Sequence, residues 1–155
     1  MVRPKLKKVV VLGMGNLLLQ DEGIGVHVAH AIVAAPSPDD VELEVVDSGT
    51  LPDTIPNEGV NKLIVVDAVR AGGEPGAVYR FHPEDIEPEN RYFTSLHQLN
   101  LLDNLWLMER FGKRPKETVI IGIEPEDIGW GLELSAKLKQ CLPQVISTIM
   151  EEINS

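Results

Sequence analysis

The sequence has 155 residues, a net charge of −10 and 43% hydrophobic residues, which suits one soluble globular domain with a full-sized core. The negative charge argues against a nucleic-acid partner, because nucleic acids select basic surfaces. No apolar run reaches transmembrane length, and the single cysteine, Cys141, excludes an internal disulfide and a zinc site built from cysteines.

The N-terminal residues are basic, and the apolar run after them is too short and too strand-like for a signal peptide. We therefore expect a cytoplasmic protein with no membrane partner. No internal repeat, low-complexity tract or linker divides the chain. We expect a single domain over residues 1–155, and a monomer.

The first predicted strand, residues 7–12, leads through a glycine-punctuated loop into a predicted helix over residues 23–34. Glycines between a first strand and a helix suggest a dinucleotide fingerprint, but its third glycine is replaced by Leu18. Asp21 and Glu22 would also repel a pyrophosphate at the start of the helix. The loop is better interpreted as a mount for carboxylates. We interpret Asp21 as the N-cap of the helix, and Glu22 as either a first-turn acid or a functional group.

Strands are predicted next at residues 41–46 and 63–66, with a short helix near Leu51, and the second of these strands ends at Asp67. Residues 77–81 also alternate as a strand does. No helix fits between this strand and the one before it, so it should run antiparallel to that strand or to a neighbour. Residues 83–94 are acidic, contain proline and are predicted to form a loop.

A capping box at Ser95 and Gln98 opens a predicted helix that runs to about Phe111 and stops at Gly112. The last strand is predicted at residues 118–123, and a loop follows it. The final helix should cover residues 135–153, with a kink or a break at Pro143. The pattern predicts a three-layer α/β/α fold with a mostly parallel sheet and one antiparallel strand.

Three residues that can bind a metal fall where such a sheet places its site, outside the carboxyl ends of the strands. Glu22 follows the first strand, Asp67 ends the third, and His97 lies in the first turn of the capped helix. Two carboxylates and an imidazole suit nickel, zinc or iron and leave coordination positions open. Spacing alone does not distinguish a metal site from a structural or surface role. Acids at strand ends and histidines at helix starts are common in such roles too.

Other candidates are weaker. Asp47 also ends a strand, but its neighbours predict that it caps a turn. His27 and His30 lie off the apolar stripe of the first helix and are predicted to be solvated. Cys141, beside an apolar residue of the last helix, is predicted to be a small core or edge residue rather than a nucleophile. His82 is assigned to a loop.

Four motifs, taken together, resemble the hydrogenase maturation endopeptidases. The motif G-x-G-N-x-L-x-x-D-E-G-x-G spans Gly13–Gly25, and D-A-V-x-x-G-x-x-P-G spans Asp67–Gly76. The motif S-x-H spans Ser95–His97, and G-I-E-P followed by G-L-x-L-S spans Gly122–Ser135. Their order and spacing cover nearly the whole chain.

The resemblance implies a five-stranded twisted sheet between helix layers and an endopeptidase activity. It implies that the substrate is the large-subunit precursor of a nickel–iron hydrogenase with its nickel already installed. The enzyme would remove a short C-terminal extension just beyond the last metal-binding cysteine motif. The metal-contacting and catalytic residues of the family map onto Glu22, Asp67 and His97, and the nickel is supplied by the substrate rather than permanently bound.

Three mechanisms stay open. The residues Glu22, Asp67 and His97 could grip the substrate's nickel and so position the scissile bond, with an acid assisting a water. They could instead hold a metal that activates the water, or two close carboxyls could work as in aspartic proteases. From other function classes, a non-catalytic checkpoint that binds the nickel-loaded precursor is the main alternative. A hydrolase with the same sheet but another substrate, and a nucleotide-binding domain, fit the motifs less well.

Overall fold

The computed structural model describes residues 6–48, 59–85, 105–106, 109–110 and 112–155. Five strands form one sheet in the order β2-β1-β3-β5-β4. Strands β1, β2, β3 and β5 are parallel, and β4 runs antiparallel to β5. The strands are β1 (Lys7–Met14), β2 (Val41–Ser48), β3 (Lys62–Ala68), β4 (Val78–Phe81) and β5 (Glu117–Ile123). The predicted sheet is confirmed, and the antiparallel partner of β4 is the neighbour β5.

Helical residues pack against both faces of the sheet. Helix α1 (Ile24–Val33) follows a 3-10 turn at Gln20–Gly23, and helix α2 is Ala136–Asn154. A second 3-10 turn lies at Pro83–Asp85. Both α1 and α2 pack on one face, and Leu105, which is helical, packs on the other. This confirms the predicted α/β/α layers.

The apolar runs of the strands are continuous because both faces of the sheet are covered. Side chains alternate along each strand: Val9 and Val11 point to the α1 and α2 face, and Val10 and Leu12 point to the face of Leu105. The same alternation places Val65 on the Leu105 side of β3. Asp67, two residues later, therefore belongs to that side as well.

The strands run one or two residues past several predicted ends, because the backbone ladder continues beneath polar side chains. Asp67 still pairs with Gly122, and Asp47 with Gly13. Gly112, where the predicted helix stops, has φ +69. The predicted helix near Leu51, the capping box with His97 and residues 86–94 of the predicted loop lie outside the described residues.

Of the predicted kink or break at Pro143, the break is wrong, because α2 is continuous through that residue. The kink stays a prediction. The missing N–H of Pro143 would have bonded the carbonyl of Lys139, one turn earlier. Both residues are exposed, so water can satisfy that carbonyl. Within the described residues, no helix combines the length and the apolar character that crossing a bilayer requires.

A buried ion-pair network ties the end of α2 to the sheet. Glu152 pairs with Lys62 Nζ at 2.7 Å and with Arg80 Nε, and Lys62 is only 1% exposed. Lys62 Nζ also donates to the Glu152 carbonyl at 2.8 Å. Burial alone would raise the pKa of Glu152, but the hydrogen bonds and charges of Arg80 and Lys62 outweigh it and lower the pKa.

We predict that Glu152→Gln lowers the free energy of unfolding by about 3 kcal/mol at pH 7, because it leaves a buried lysine without its counter-charge. Since the pKa of Glu152 is lowered in the folded state, its contribution is present above the ordinary carboxyl pKa and is lost as the pH falls through the folded value. The difference in the free energy of unfolding between the wild type and Glu152→Gln should therefore be smaller at acidic pH. Urea unfolding at pH 7 and at acidic pH measures both effects.

The matched control is Glu133→Gln, which removes an exposed pair with Lys139 at 3.2 Å and should change stability much less. If Glu152→Gln and Glu133→Gln lower the free energy of unfolding equally at pH 7, the Glu152 network does not have the stabilising role that we assign to it.

Candidate active site

Two glycines bring the loop that carries Glu22 against the ends of the strands. Gly15 has φ +134, and a Cβ there would lie 1.9 Å from the carbonyl oxygen of Glu22. A Cβ on Gly25 would lie 2.2 Å from the Val66 carbonyl oxygen and 2.3 Å from that of Met14. The glycines of the first motif thus let the start of α1 pack directly on β1 and β3. They serve this close packing of backbones, in keeping with the interpretation of the loop as a mount for carboxylates.

This packing brings Glu22 and Asp67 to the same edge of the sheet. The 3-10 turn that contains Glu22 contacts β3, and Asp67 directly follows Val66 on that strand. Asp67 is 1% exposed, and its Oδ1 accepts a hydrogen bond from the N–H of Ala68 at 2.9 Å. Glu22 is half-buried. Two of the three predicted site residues therefore share the carboxyl edge of the sheet.

His97, the third predicted residue, lies outside the described residues. Within the described part of the chain, no three His, Cys, Asp or Glu side chains come together in a way that could hold a metal. The catalytic and metal-binding roles of Glu22, Asp67 and His97 therefore all stay predictions.

Asp21 does not cap α1, so that prediction is wrong: the N-cap is Gly23, with no side-chain hydrogen bond. Asp21 is fully buried and accepts four hydrogen bonds from the loop after β5. Its Oδ2 accepts from the N–H groups of Glu126 and Asp127, both at 2.9 Å, and from Ser135 Oγ at 2.8 Å. Its Oδ1 accepts from the N–H of Ser135 at 2.7 Å. Asp21 thus fixes this loop against the turn that carries Glu22.

Glu124 likewise fixes the turn after β3 by accepting hydrogen bonds from it. Its Oε1 accepts hydrogen bonds from the N–H of Ala71 at 3.0 Å, the N–H of Gly73 at 2.8 Å and the hydroxyl of Tyr79 at 3.0 Å. Burial, and then the hydrogen bond to Glu124, raise the pKa of Tyr79. The second and fourth motifs are therefore joined at this carboxylate.

Sequence reasoning missed the roles of Asp21 and Glu124 in ordering the site. For Glu124 a signal existed, because it directly follows the apolar strand β5, as Asp67 directly follows the apolar run of β3. For Asp21 the local sequence offered only the capping explanation.

The other strand-end acid, Asp47, contacts His30 Nε2 at 2.5 Å, and both side chains are exposed. Solvation of His30 is thus confirmed. For His27 the prediction of solvation is wrong, because the residue is half-buried and its Nε2 is buried with no hydrogen-bond partner among the described residues. Burial, and then the charge of His30, lower the pKa of His27.

Cys141 is half-buried beside the apolar core, and its Sγ donates to the Leu138 carbonyl at 3.3 Å. Burial raises the pKa of its thiol. Cys141 therefore packs against the core, as predicted. The raised pKa disfavours the thiolate that a nucleophilic cysteine needs.

A cavity of about 610 Å³ opens at the other edge of the sheet, and its lining includes His82, Arg114 and Glu117. Glu117 begins β5 and Ile123 ends it, so this cavity lies about 20 Å from the carboxyl edge along the strand. We assign the site to the carboxyl edge, where the motif acids meet, and not to this cavity.

Comparison with known proteins decides the family. The family model described as hydrogenase maturation protease matches residues 26–152. The chain belongs to this family. The hydrogenase 2 maturation protease of Escherichia coli K12 is 31% identical over 151 residues, which cover 93% of this chain and 92% of the relative. The hydrogenase expression/formation protein HupD of Rhizobium leguminosarum bv. viciae is 32% identical, over 98% of this chain and 77% of the relative.

The solved structure of the hydrogenase-maturating endopeptidase HybD from Escherichia coli superposes with a TM-score of 0.79 at 27% identity, over 95% of this chain and 92% of that one. These findings confirm the resemblance to the hydrogenase maturation endopeptidases and the predicted fold. They also show that this hydrogenase maturation protease is an endopeptidase. The span matched by the family model begins after Glu22, but the pairwise matches extend over nearly the whole chain.

We predict that Asp21→Asn loosens the loop after β5. An amide NH2 in place of one carboxylate oxygen would face N–H and O–H donors, and losing such buried bonds costs about 2–3 kcal/mol. Hydrogen exchange should accelerate at the N–H groups of Glu126, Asp127 and Ser135. The control Asp127→Asn changes an exposed side chain of the same loop and keeps its N–H bond to Asp21. Unchanged protection in Asp21→Asn would contradict the role we assign to Asp21.

Proposed function

We propose that this endopeptidase removes the C-terminal extension of a nickel-loaded large-subunit precursor of a nickel–iron hydrogenase. Glu22, Asp67 and His97 would form its working site. The observation that carries the proposal is the close approach of the start of α1 to the end of β3, which brings the loop of Glu22 to the strand of Asp67. The name of the Escherichia coli relative, a hydrogenase 2 maturation protease, supports the substrate class.

The donor set fits a nickel ion carried by the substrate. Carboxylate oxygens and an imidazole nitrogen form a borderline set that suits nickel, and three protein ligands leave coordination positions for groups that the substrate supplies. In this proposal the metal is part of the substrate and serves as the recognition element. Gripping it would position the adjacent peptide bond, and such positioning can supply a large share of a rate enhancement.

The two acids differ in exposure, and this suggests different tasks. Asp67 is almost fully buried, with one oxygen on the adjacent N–H group, so it suits a fixed ligand. Glu22 is half-buried on the turn that Asp21 secures, so it can reach both substrate and water. We assign to Glu22 the removal of a proton from the attacking water.

Placement of His97 rests on its predicted helix. Leu105, in the same predicted helix, packs on the face of the sheet to which Asp67 belongs by strand alternation. This layer is the one from which a histidine at the start of that helix would approach the edge. The mechanism with a water-activating metal would use the same three residues, whereas the aspartic-type mechanism would use only the two carboxylates and no nickel.

We predict that the purified protein cleaves a nickel-loaded precursor and leaves a nickel-free precursor intact, as recorded by intact mass. Glu22→Gln should abolish cleavage, because it removes the proton acceptor and a charged ligand while preserving shape. The control Asp47→Asn alters another strand-end acid, which contacts His30, and should cleave normally.

Each other outcome has a defined meaning. Cleavage of both precursors would remove nickel from recognition and favour paired carboxylates. Stable binding of the precursor without any mass change would favour a non-catalytic checkpoint protein, which binds the nickel-loaded precursor, over the proposed cleavage. A fully active Glu22→Gln protein would overturn the site assignment.

A second prediction concerns the thiol. Cys141→Ala should cleave the nickel-loaded precursor at the wild-type rate, because the raised pKa and half-buried position of Cys141 make it a poor nucleophile. The same mass assay tests this. A loss of cleavage with unchanged thermal stability would indicate a thiol role that the present proposal does not contain.

A further inference from the structure

An apolar surface borders the proposed site. Of the seven large apolar side chains exposed in the described part of the chain, four lie on two neighbouring loops: Leu18, Ile128, Trp130 and Leu132. Trp130 is 84% exposed and Leu132 67% exposed. Isolated exposed apolar residues are common, but a group of four that includes a tryptophan marks a binding surface. We call these four residues the apolar rim.

The two loops of the apolar rim are bonded to each other. The N–H of Gly131 donates to the Leu18 carbonyl at 2.9 Å, and the N–H of Gln20 donates to the Gly131 carbonyl at 2.9 Å. Gly129 and Gly131, on either side of Trp130, pack closely against the Gln20 side chain. The exposure of Trp130 is therefore set by an ordered backbone.

The site and the apolar rim share one support. Asp21 holds the N–H groups of Glu126 and Asp127 at 2.9 Å, just before Ile128. Asp21 also directly precedes Glu22 in the chain. The rim is thus continuous with the edge where the proposed site lies. Gln20, between Leu18 and Asp21, holds a positive φ of 50°, which an L-residue keeps only when its surroundings impose it.

The charges around the apolar rim select its partner. The exposed side chains of Glu126, Asp127 and Glu133 flank it, in a chain whose net charge is −10. An apolar centre within an acidic border fits a protein surface with apolar residues and basic neighbours. Exposed tryptophans are the typical anchors of such interfaces.

We propose that the apolar rim is the docking surface for the folded body of the substrate protein, through an apolar, basic-flanked face distinct from the segment that is cut. This inference rests on the proposed function. The rim would hold the substrate's body while the carboxyl edge receives the scissile segment. Binding energy gathered away from the reacting bond would then help to place that bond.

The test compares Trp130→Ala with Trp106→Ala, which truncates an exposed tryptophan on another element. With the nickel-loaded precursor, Trp130→Ala should raise KM at least tenfold with kcat within twofold, and Trp106→Ala should match the wild type. Unchanged KM in Trp130→Ala, while the wild type cleaves, would overturn the docking surface alone. If the wild type neither cleaves nor binds the precursor, the proposed function fails as well.

A binding experiment distinguishes between the partners that could occupy the apolar rim. In the Glu22→Gln background, a precursor shortened to lack its extension should still bind, and Trp130→Ala should weaken that binding at least tenfold. Absence of binding by the shortened precursor would overturn docking of the folded body. A wild-type dimer that Trp130→Ala dissociates, with precursor cleavage unchanged, would assign the rim to self-association and also overturn the proposal.

Discussion

The arrangement of the carboxyl edge depends on one buried carboxylate, that of Asp21. Desolvating it would be costly without partners, and four hydrogen bonds from the loop after β5 offset that cost. Ser135 contributes two of them and also caps α2, since its Oγ accepts from the N–H of Leu138 at 3.4 Å. Asp21 therefore joins the turn before α1, the loop after β5 and the start of α2. Glu22, its neighbour in the chain, takes its position from this junction.

Buried acidic side chains make stabilising contacts at both ends of the sheet. At the carboxyl edge, Asp21 and Glu124 satisfy backbone N–H groups of loops and so order the walls of the site. At the opposite end, Glu152 pairs with Lys62 and Arg80 and ties α2 to β3 and β4. The two acids at the carboxyl edge leave their neighbours Glu22 and Asp67 on a rigid support. This separation would allow acidic groups to serve stability and also, in the proposed function, chemistry in one small fold.

The sequence alone predicts what local pattern determines. Apolar runs and apolar–polar alternation predicted all five strands, and the lack of room for a helix before β4 predicted its antiparallel direction. The role of Asp21 could not be read locally, because its donors lie 105 to 114 residues further along the chain. The burial of His27 depends on packing that helical spacing does not contain. The continuity of α2 at Pro143 depends on which face meets water. Strand-end position identified Asp67 correctly as an edge residue, because parallel topology makes that edge common to all four parallel strands.

The physical link between binding surface and site follows from the same junction. The loop that presents Trp130 is bonded through Gly131 to Leu18 and Gln20, and through Glu126 and Asp127 to Asp21. A partner that contacts the apolar rim therefore contacts a backbone that is hydrogen-bonded directly to Gln20 and Asp21, the two residues just before Glu22. Because this backbone is held before the partner arrives, little conformational entropy remains to be lost on binding. If the substrate protein docks on the apolar rim as proposed, a rigid connection of this kind would turn recognition of its folded body into placement of the peptide bond.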